Sequence, residues 1–471
     1  MTIGNRLVQI YTTDIDGLLQ IAESQVTRRF AASEQSQPIH VSLPVRIGHM
    51  KNISLLKRVS KPLFIIIFIL LHYLILNNFA LLSKDMVYGD ASGLNLNPLP
   101  RYGFMRVPES DLTLKYEAVN RLAADFAQIY FPSQQLSTLT TGYTKETLDP
   151  WGRPSRYAPL LHAICSISLC KLEYGYASLL HHLGQMLVFF LSLFYAFKRL
   201  QIEKRFLPAI LLVNFCLFLT PVGLSWFERG QFSLYVALSY LWLILGLIGH
   251  NRYCIFLSAL FAYVKWTSFP LLFLVLTLWL LNSKNIQELK DNFYLTLVFP
   301  VTIIFLFLLH LEFGIHFLAG LFEQEVTYEP QGLSLMKLFP RFVVKTLPFI
   351  LIVLGYLNIR RYKNKFLSLI PYFIGSGILL TIYPTLAFDY SIPCLFGFIP
   401  LAIYWAKPLK NNGCFSCVLA KYLFFIFLIM ASFSINIINI FSSESIVIYG
   451  YILFAIALII LPLLNPNYLE N

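Results

Sequence analysis

The chain is 471 residues long, 57% hydrophobic and 13% charged, with 42 Phe and 27 Tyr and a mean hydropathy of +0.66. Ordinary soluble domains carry about 25% charged residues, so a soluble globule, a disordered chain and a collagen-like fibre are all excluded. A formal charge of +12 would suggest nucleic acid in a soluble protein, but in a membrane chain Lys and Arg report topology first, and no nucleic-acid partner is expected.

Residues 1–49 are polar and aperiodic. Met50, followed by Lys51, Lys57, Arg58 and Lys61, is an alternative start that would leave 1–49 outside the native protein and 50–471 as a single polytopic membrane domain. Asp14 and Asp16 imitate the D-x-D metal motif of nucleotide-sugar transferases, but no strand-rich stretch surrounds them. The first span is expected at Leu63–Leu82, and Ala80–Ser83 offers no good cleavage site, so an uncleaved anchor is expected.

Residues 84–156 form a long polar loop, which at about 70 residues should hold structure of its own. After Ser110 and Asp111, the apolar residues Leu112, Tyr116, Val119, Leu122, Ala123 and Phe126 recur at helical spacing. This predicts a juxtamembrane amphipathic helix. Tyr157–Cys170 is too short to cross.

Further spans are predicted at Tyr176–Phe197, Phe206–Leu224, Phe232–Gly249, Tyr253–Val264, Phe269–Leu281, Tyr294–Leu311, Thr346–Leu357, Phe366–Tyr383, Ser391–Trp405, Tyr422–Phe441 and Ile446–Leu463. The fold class is therefore an all-α polytopic membrane protein with about twelve transmembrane helices. Basic clusters at 198–205, Arg252, Lys284 and Lys290, 360–365, and Lys407 and Lys410 then share one side with both termini, the cytoplasm. The loop 84–156, the turn Trp226–Gln231, the break at Lys265, a second loop 312–345 and Asp389 fall on the opposite side.

The seven cysteines lie mostly in apolar runs, where a thiol acts as a small hydrophobe. Cys414 and Cys417 form a lone C-x-x-C without a second ligand pair, and His310 and His316 near Glu312 lack a third ligand, so no metal centre is expected, although a divalent ion is not excluded.

Asp111 is either a helix N-cap or a general base, and the roles are compatible. Lys265 is an ionisable group in an apolar stretch and marks a site by default, with snorkelling as the alternative. Glu228 and Arg229 before Gln231 are either a surface ion pair or a phosphate-binding arginine beside a hydroxyl-binding carboxylate. Asp389 has an N-cap role as its alternative, supported by Pro393. Asp90 and Asp149, the latter near Trp151, are further candidate bases. The mixed charges Glu323, Glu325, Glu329, Lys337, Arg341 and Lys345 fit a solvated segment or an acceptor-binding loop.

Ser110-Asp111-Leu112, Tyr116, Ala118 and Tyr130, then Tyr157-Ala158-Pro159-Leu160, then Gly230-Gln231, Lys265 with Pro270, and Phe388-Asp389-Tyr390 together resemble glycosyltransferase family 87 of the GT-C superfamily. The resemblance covers most of Met50–Trp405. The chain departs from the family pattern at Ala158 and Trp266, where proline is common, and by about one residue in the Asp111–Tyr130 spacing. The resemblance implies hexose transfer, with mannose favoured, from a polyprenyl-phosphate donor to an acceptor hydroxyl outside the cytoplasm, in a bacterial inner membrane. It implies Asp111 as base, Lys265 and Arg229 on the donor phosphate, and Glu228, Gln231, Asp389, Tyr390 and Tyr157 around the substrate. Membrane lipids, the lipid-linked donor and a glycan, lipid or protein acceptor are the expected partners. A transporter or flippase, and a polymerase or ligase of lipid-linked glycans, are the other classes with many spans and intramembrane charges.

Overall fold

The structure, a computed structural model, describes residues 50–88, 123–134, 155, 157–309, 315, 318, 329–361, 366–405 and 415–460. The described residues are predominantly helical, as lipid requires, because a spanning segment must satisfy its own amides and carbonyls. Two compact units divide the chain, Met1–Leu76 and Asn77–Asn471. The described part of the first belongs to helix α1 (Met50–Tyr88), where Ile66, Ile69, Leu70 and Tyr73 are exposed, as on a lipid-facing surface.

The second unit takes in the end of α1 and continues with α2 (Ala124–Gln134), α3 (Pro159–Ile167), α4 (Tyr174–Arg199), α5 (Phe206–Phe218), α6 (Pro221–Arg229), α7 (Ser233–Ile248), α8 (Arg252–Val264) and α9 (Phe269–Leu281). Then come α10 (Ile286–Thr296), α11 (Val298–Leu308), α12 (Arg341–Arg361), α13 (Ile370–Thr381), α14 (Ile399–Trp405), α15 (Phe415–Ser432), α16 (Ser434–Phe441) and α17 (Glu444–Ile460). Strand β1 (Gln331–Gly332) pairs in parallel with β2 (Leu386–Ala387).

Four helices are long and apolar enough to cross a membrane alone: Ile66–Lys84, Tyr174–Arg199, Ile286–Leu308 and Arg341–Arg360. Three pairs qualify only together, α5 with α6, α8 with α9 and α15 with α16, bent by 72°, 120° and 62°. The described residues thus give four to seven candidate spans, against about twelve expected from hydropathy. The difference arises because hydropathy counts apolar windows, whereas Ser233–Ile248, Ile370–Thr381, Ser391–Trp405 and Glu444–Ile460 are apolar but only 10–17 residues long.

Two expected straight spans are broken. Phe206–Leu224 divides at Thr220, whose hydroxyl caps the Gly223 amide while Pro221 opens the next helix; Tyr422–Phe441 divides at Phe433. The expected turn Trp226–Gln231 is instead the end of α6 and its cap. The expected loop 312–345 stops short, since Arg341 and Lys345 lie within α12.

One end of the second unit is basic. The Arg199 guanidinium lies over Gly249, the His250 and Trp279 rings are 5.5 Å apart, and Trp279 meets Phe366 at 4.7 Å. Arg199, Arg252 and Lys284 therefore gather where α4, α7 and α9 end and α8 begins. At 1.5 Å per residue, α8 carries Lys265 about 20 Å from that end.

Cys165 and Cys170, read from sequence as apolar thiols, form a disulfide. The end of α3 and the turn Leu169–Lys171 fold back to bring their Cα atoms to 5.0 Å. Such a bond persists where the surroundings oxidise. A variant retaining only Cys165 and Cys170 should therefore resist maleimide under denaturing conditions until reductant is added. Replacing both with Ser should destabilise this short loop by about 2 kcal/mol, read as a lower Tm.

Candidate functional site

The site is assembled at helix ends. Helix α6 stops at Arg229 because Gly230 adopts φ +69, a left-handed cap that returns its amide to Phe227. Glycine is needed here for space as well, since a Cβ would meet Ala123 Cβ at 2.9 Å and Phe126 Cβ at 3.0 Å. Ala123 itself holds φ 56. Its amide donates to the Glu228 carbonyl at 2.6 Å, and its carbonyl accepts from the Tyr174 hydroxyl at 2.8 Å. The start of α2 is thereby clamped to the end of α6.

The clamp sets Asp125 beside Arg229. Arg229 Nη2 donates to Asp125 Oδ1 at 3.4 Å, both side chains being 8% exposed, and the Phe388 ring lies 5.8 Å from the guanidinium carbon. The parallel pairing of β1 and β2 fixes the backbone just before Phe388.

Two residues beyond Arg229, Gln231 is buried at the head of α7. Its side-chain oxygen accepts from Lys265 Nζ at 2.6 Å, and its main-chain carbonyl accepts from Gln185 Nε2 at 2.8 Å. The Gln185 amide also lies 2.7 Å from His181 Nε2. Lys265 is half-buried in the break between α8 and α9, where its backbone is extended and its carbonyl accepts from the Ser268 hydroxyl at 3.1 Å. Asp125 and Arg229 are close enough to act on its charge.

Among the described residues, the ammonium of Lys265 is therefore held by a neutral amide and forms no ion pair. Arg229 and Lys265 each sit at a helix C-terminus, where the backbone dipole contributes about 0.3–1 kcal/mol to a cation. Removing an ion from water costs several kcal/mol. Arg229 is met by Asp125 as well, whereas at Lys265 the dipole and the Gln231 amide offset only part of that cost.

Aromatic rings adjoin this cluster: Phe126 stacks on His181 at 4.8 Å, and Phe232 lies 4.4 Å from His181 and 4.5 Å from Tyr157. Ala158 packs with Tyr263 and Leu306, and Leu160 and Trp266 pack against that group. The stretch Tyr157–Leu160 thus abuts both the head of α7 and the end of α8.

Of the residues singled out from sequence, Arg229, Gln231, Lys265 and Tyr157 are brought together. Arg229 is buried rather than part of a surface pair. Glu228 is half-buried and contributes its carbonyl to the clamp. Asp389 and Tyr390 open the 3-10 segment Asp389–Phe398 after Phe388; their side chains lie outside the description, as do Asp111, Asp90, Asp149, Asp14, Asp16, His310, His316, Glu323, Glu325 and the Cys414–Cys417 pair. Sequence reading missed Asp125, Gln185 and His181. The available signals were a carboxylate amid apolar residues and a His-x-x-x-Gln spacing, one helical turn apart, inside an apolar span. Among the described residues no group of three or more His, Cys, Asp or Glu could hold a metal ion. No family model matches the chain, and comparison with curated proteins and with solved structures found no match.

The far end of α2 is held by a buried histidine on α3. Ser133 Oγ donates to the Ile129 carbonyl and so accepts from His162 Nδ1 at 3.0 Å, leaving Nε2 to accept from the Ser155 hydroxyl at 2.8 Å. Burial pushes the His162 pKa down to about 4.

Two outcomes follow from this geometry. Gly230→Ala should lower stability by about 1–2 kcal/mol or more, seen in Tm, because it combines left-handed strain with a clash at α2. His162 is neutral when folded and titrates near pH 6.5 when unfolded, so full stability is present above pH 6.5 and falls as the pH drops through the folded value. The loss approaches about 3 kcal/mol. His162→Gln should flatten the decline of Tm between pH 6.5 and 4 relative to the unmodified protein.

Proposed function

We propose that this chain is a GT-C-type membrane glycosyltransferase. It transfers a hexose, with mannose favoured, from a polyprenyl-phosphate donor to an acceptor hydroxyl at the extracytoplasmic face of a bacterial inner membrane, with both termini in the cytoplasm and about twelve crossings once the shorter apolar helices are counted. The observation that carries this reading is the convergence of buried Arg229, met by Asp125, and half-buried Lys265, bonded to Gln231, at helix ends remote from the basic end of the unit. A lipid-linked phosphate is an anion that arrives through the bilayer, and a guanidinium beside an ammonium suits it. The concentration of polar groups at one depth favours transfer at a fixed site over passage through the membrane.

In the reaction, the acceptor oxygen attacks the anomeric carbon as the carbon–oxygen bond to phosphate breaks. The bonding pair leaves with the phosphate, and the acceptor proton passes to a carboxylate, assigned to Asp111. Lys265 and Arg229 stabilise the charge that grows on the leaving phosphate. Gln231 holds Lys265 in place, while Tyr157, Glu228, Asp389 and Tyr390 surround the sugar. A single displacement inverts the anomeric centre.

Membranes containing the protein should transfer hexose from a polyprenyl-phosphate hexose. Lys265→Ala should reduce the rate by about 10²–10³-fold, and Asp111→Asn should reduce it at least as far. Transfer that persists unchanged in both variants, or movement of the lipid-linked sugar across vesicles without transfer, would overturn the reading.

A further inference from the structure

The geometry points to Phe388 as a positioning residue for Arg229: its ring, set in place by the pairing of β1 with β2, holds the guanidinium ready for a lipid-linked phosphate. This rests on the proposed glycosyl transfer, in which Arg229 binds the donor phosphate.

The ring is placed by the backbone around it. The Gln331 amide donates to the Thr385 carbonyl at 3.0 Å, that of Leu333 to Ala387 at 2.5 Å and that of Leu335 to Ile382 at 2.8 Å, so residues 331–335 are joined along residues 382–387. Lys337 pairs with Glu444 at the start of α17, which ties down the chain just beyond. Gly332 holds φ +62, and a Cβ there would meet the Ala387 carbonyl oxygen at 2.2 Å and Phe388 Cδ1 at 2.9 Å. Only glycine lets the strand run this close, and the strand then leaves the ring no room to withdraw on that side. Phe388 itself is extended, and its carbonyl accepts from the Ser391 amide at 3.1 Å.

The consequence falls on Arg229. Its guanidinium carbon lies over the Phe388 ring, 5.8 Å from the centroid, within the roughly 6 Å over which a ring face attracts a cation. Attraction to a π face uses none of the guanidinium N–H groups, which fan out in its plane. The two neighbours therefore constrain different features of one group: Asp125 accepts from Nη2 at the edge, and Phe388 holds the face. An arginine ordered in advance gives up less freedom when an oxyanion binds, so the ring contributes to affinity without touching the ligand.

The test varies the ring at nearly constant shape. Phe388 would be replaced by mono-, di- and trifluorinated phenylalanine, which withdraw negative charge from the ring face, and by leucine. Farnesyl phosphate is then titrated into the full-length detergent-purified protein. Its affinity should fall stepwise with each fluorine, and by about tenfold in Phe388→Leu. A ring that serves only as packing would leave the fluorinated series flat, and a flat series overturns the inference whether Phe388→Leu binds poorly or fails to fold. Failure of the unmodified protein to bind farnesyl phosphate overturns it as well. Hexose transfer, measured separately, tells the two readings apart. A stepwise fall without transfer removes glycosyl transfer and keeps the role of Phe388 at a phosphate site, whereas transfer with a flat series removes that role alone.

Discussion

The hydrogen bond from Lys265 to Gln231 joins two interruptions of the helical backbone at one point inside the second unit. Irregular backbone at membrane depth persists only where protein or water satisfies its polar groups. Here the protein does so from several sides: Ser268 returns its hydroxyl to the Lys265 carbonyl, and Gln185 bonds the Gln231 carbonyl. The 120° reversal between α8 and α9 and the capped end of α6 therefore support each other. Removing either partner would strand an ammonium or an amide among apolar helices, which explains why so much of the surrounding polar network is directed at these few atoms.

The same arrangement concentrates charge. Arg229 is drawn inward by the clamp between Gly230 and Ala123 and is met by Asp125. A buried ion pair contributes little net stability, because desolvation consumes most of the Coulombic gain. Its value lies in fixing a guanidinium next to a second cation. The lipid-linked donor proposed above carries a phosphoryl group of the kind such a setting suits.

Much of the helical pattern is legible in the order of residues. The span read at Tyr176–Phe197 is Tyr174–Arg199, and the stretch read as a span at Phe232–Gly249 is the shorter apolar helix Ser233–Ile248. Pro270 and the lysine before it mark the break between α8 and α9, since proline cannot continue a helix and the ammonium resists burial. The break at Thr220 escaped because its flanks are as apolar as any straight span, although Pro221 was its signal. Asp125 escaped because an acidic residue in the first turn of a helix is ordinary on a surface, and only burial against Arg229 gives it another meaning.

Composition and periodicity alone determined that the chain is a helical membrane protein, which stretches are apolar, and that Lys265 and the Glu228–Gln231 segment are polar exceptions needing partners. These are local properties, carried by each residue's own transfer energy and by helical spacing. Which exceptions meet was decided by tertiary structure: Asp125 reaches Arg229 from 104 positions away, and Lys265 reaches Gln231 from 34. Bending of helix pairs and pairing of Cys165 with Cys170 were decided in the same way. Contacts between distant segments depend on how whole helices pack, and no window of sequence contains both sides of such a contact.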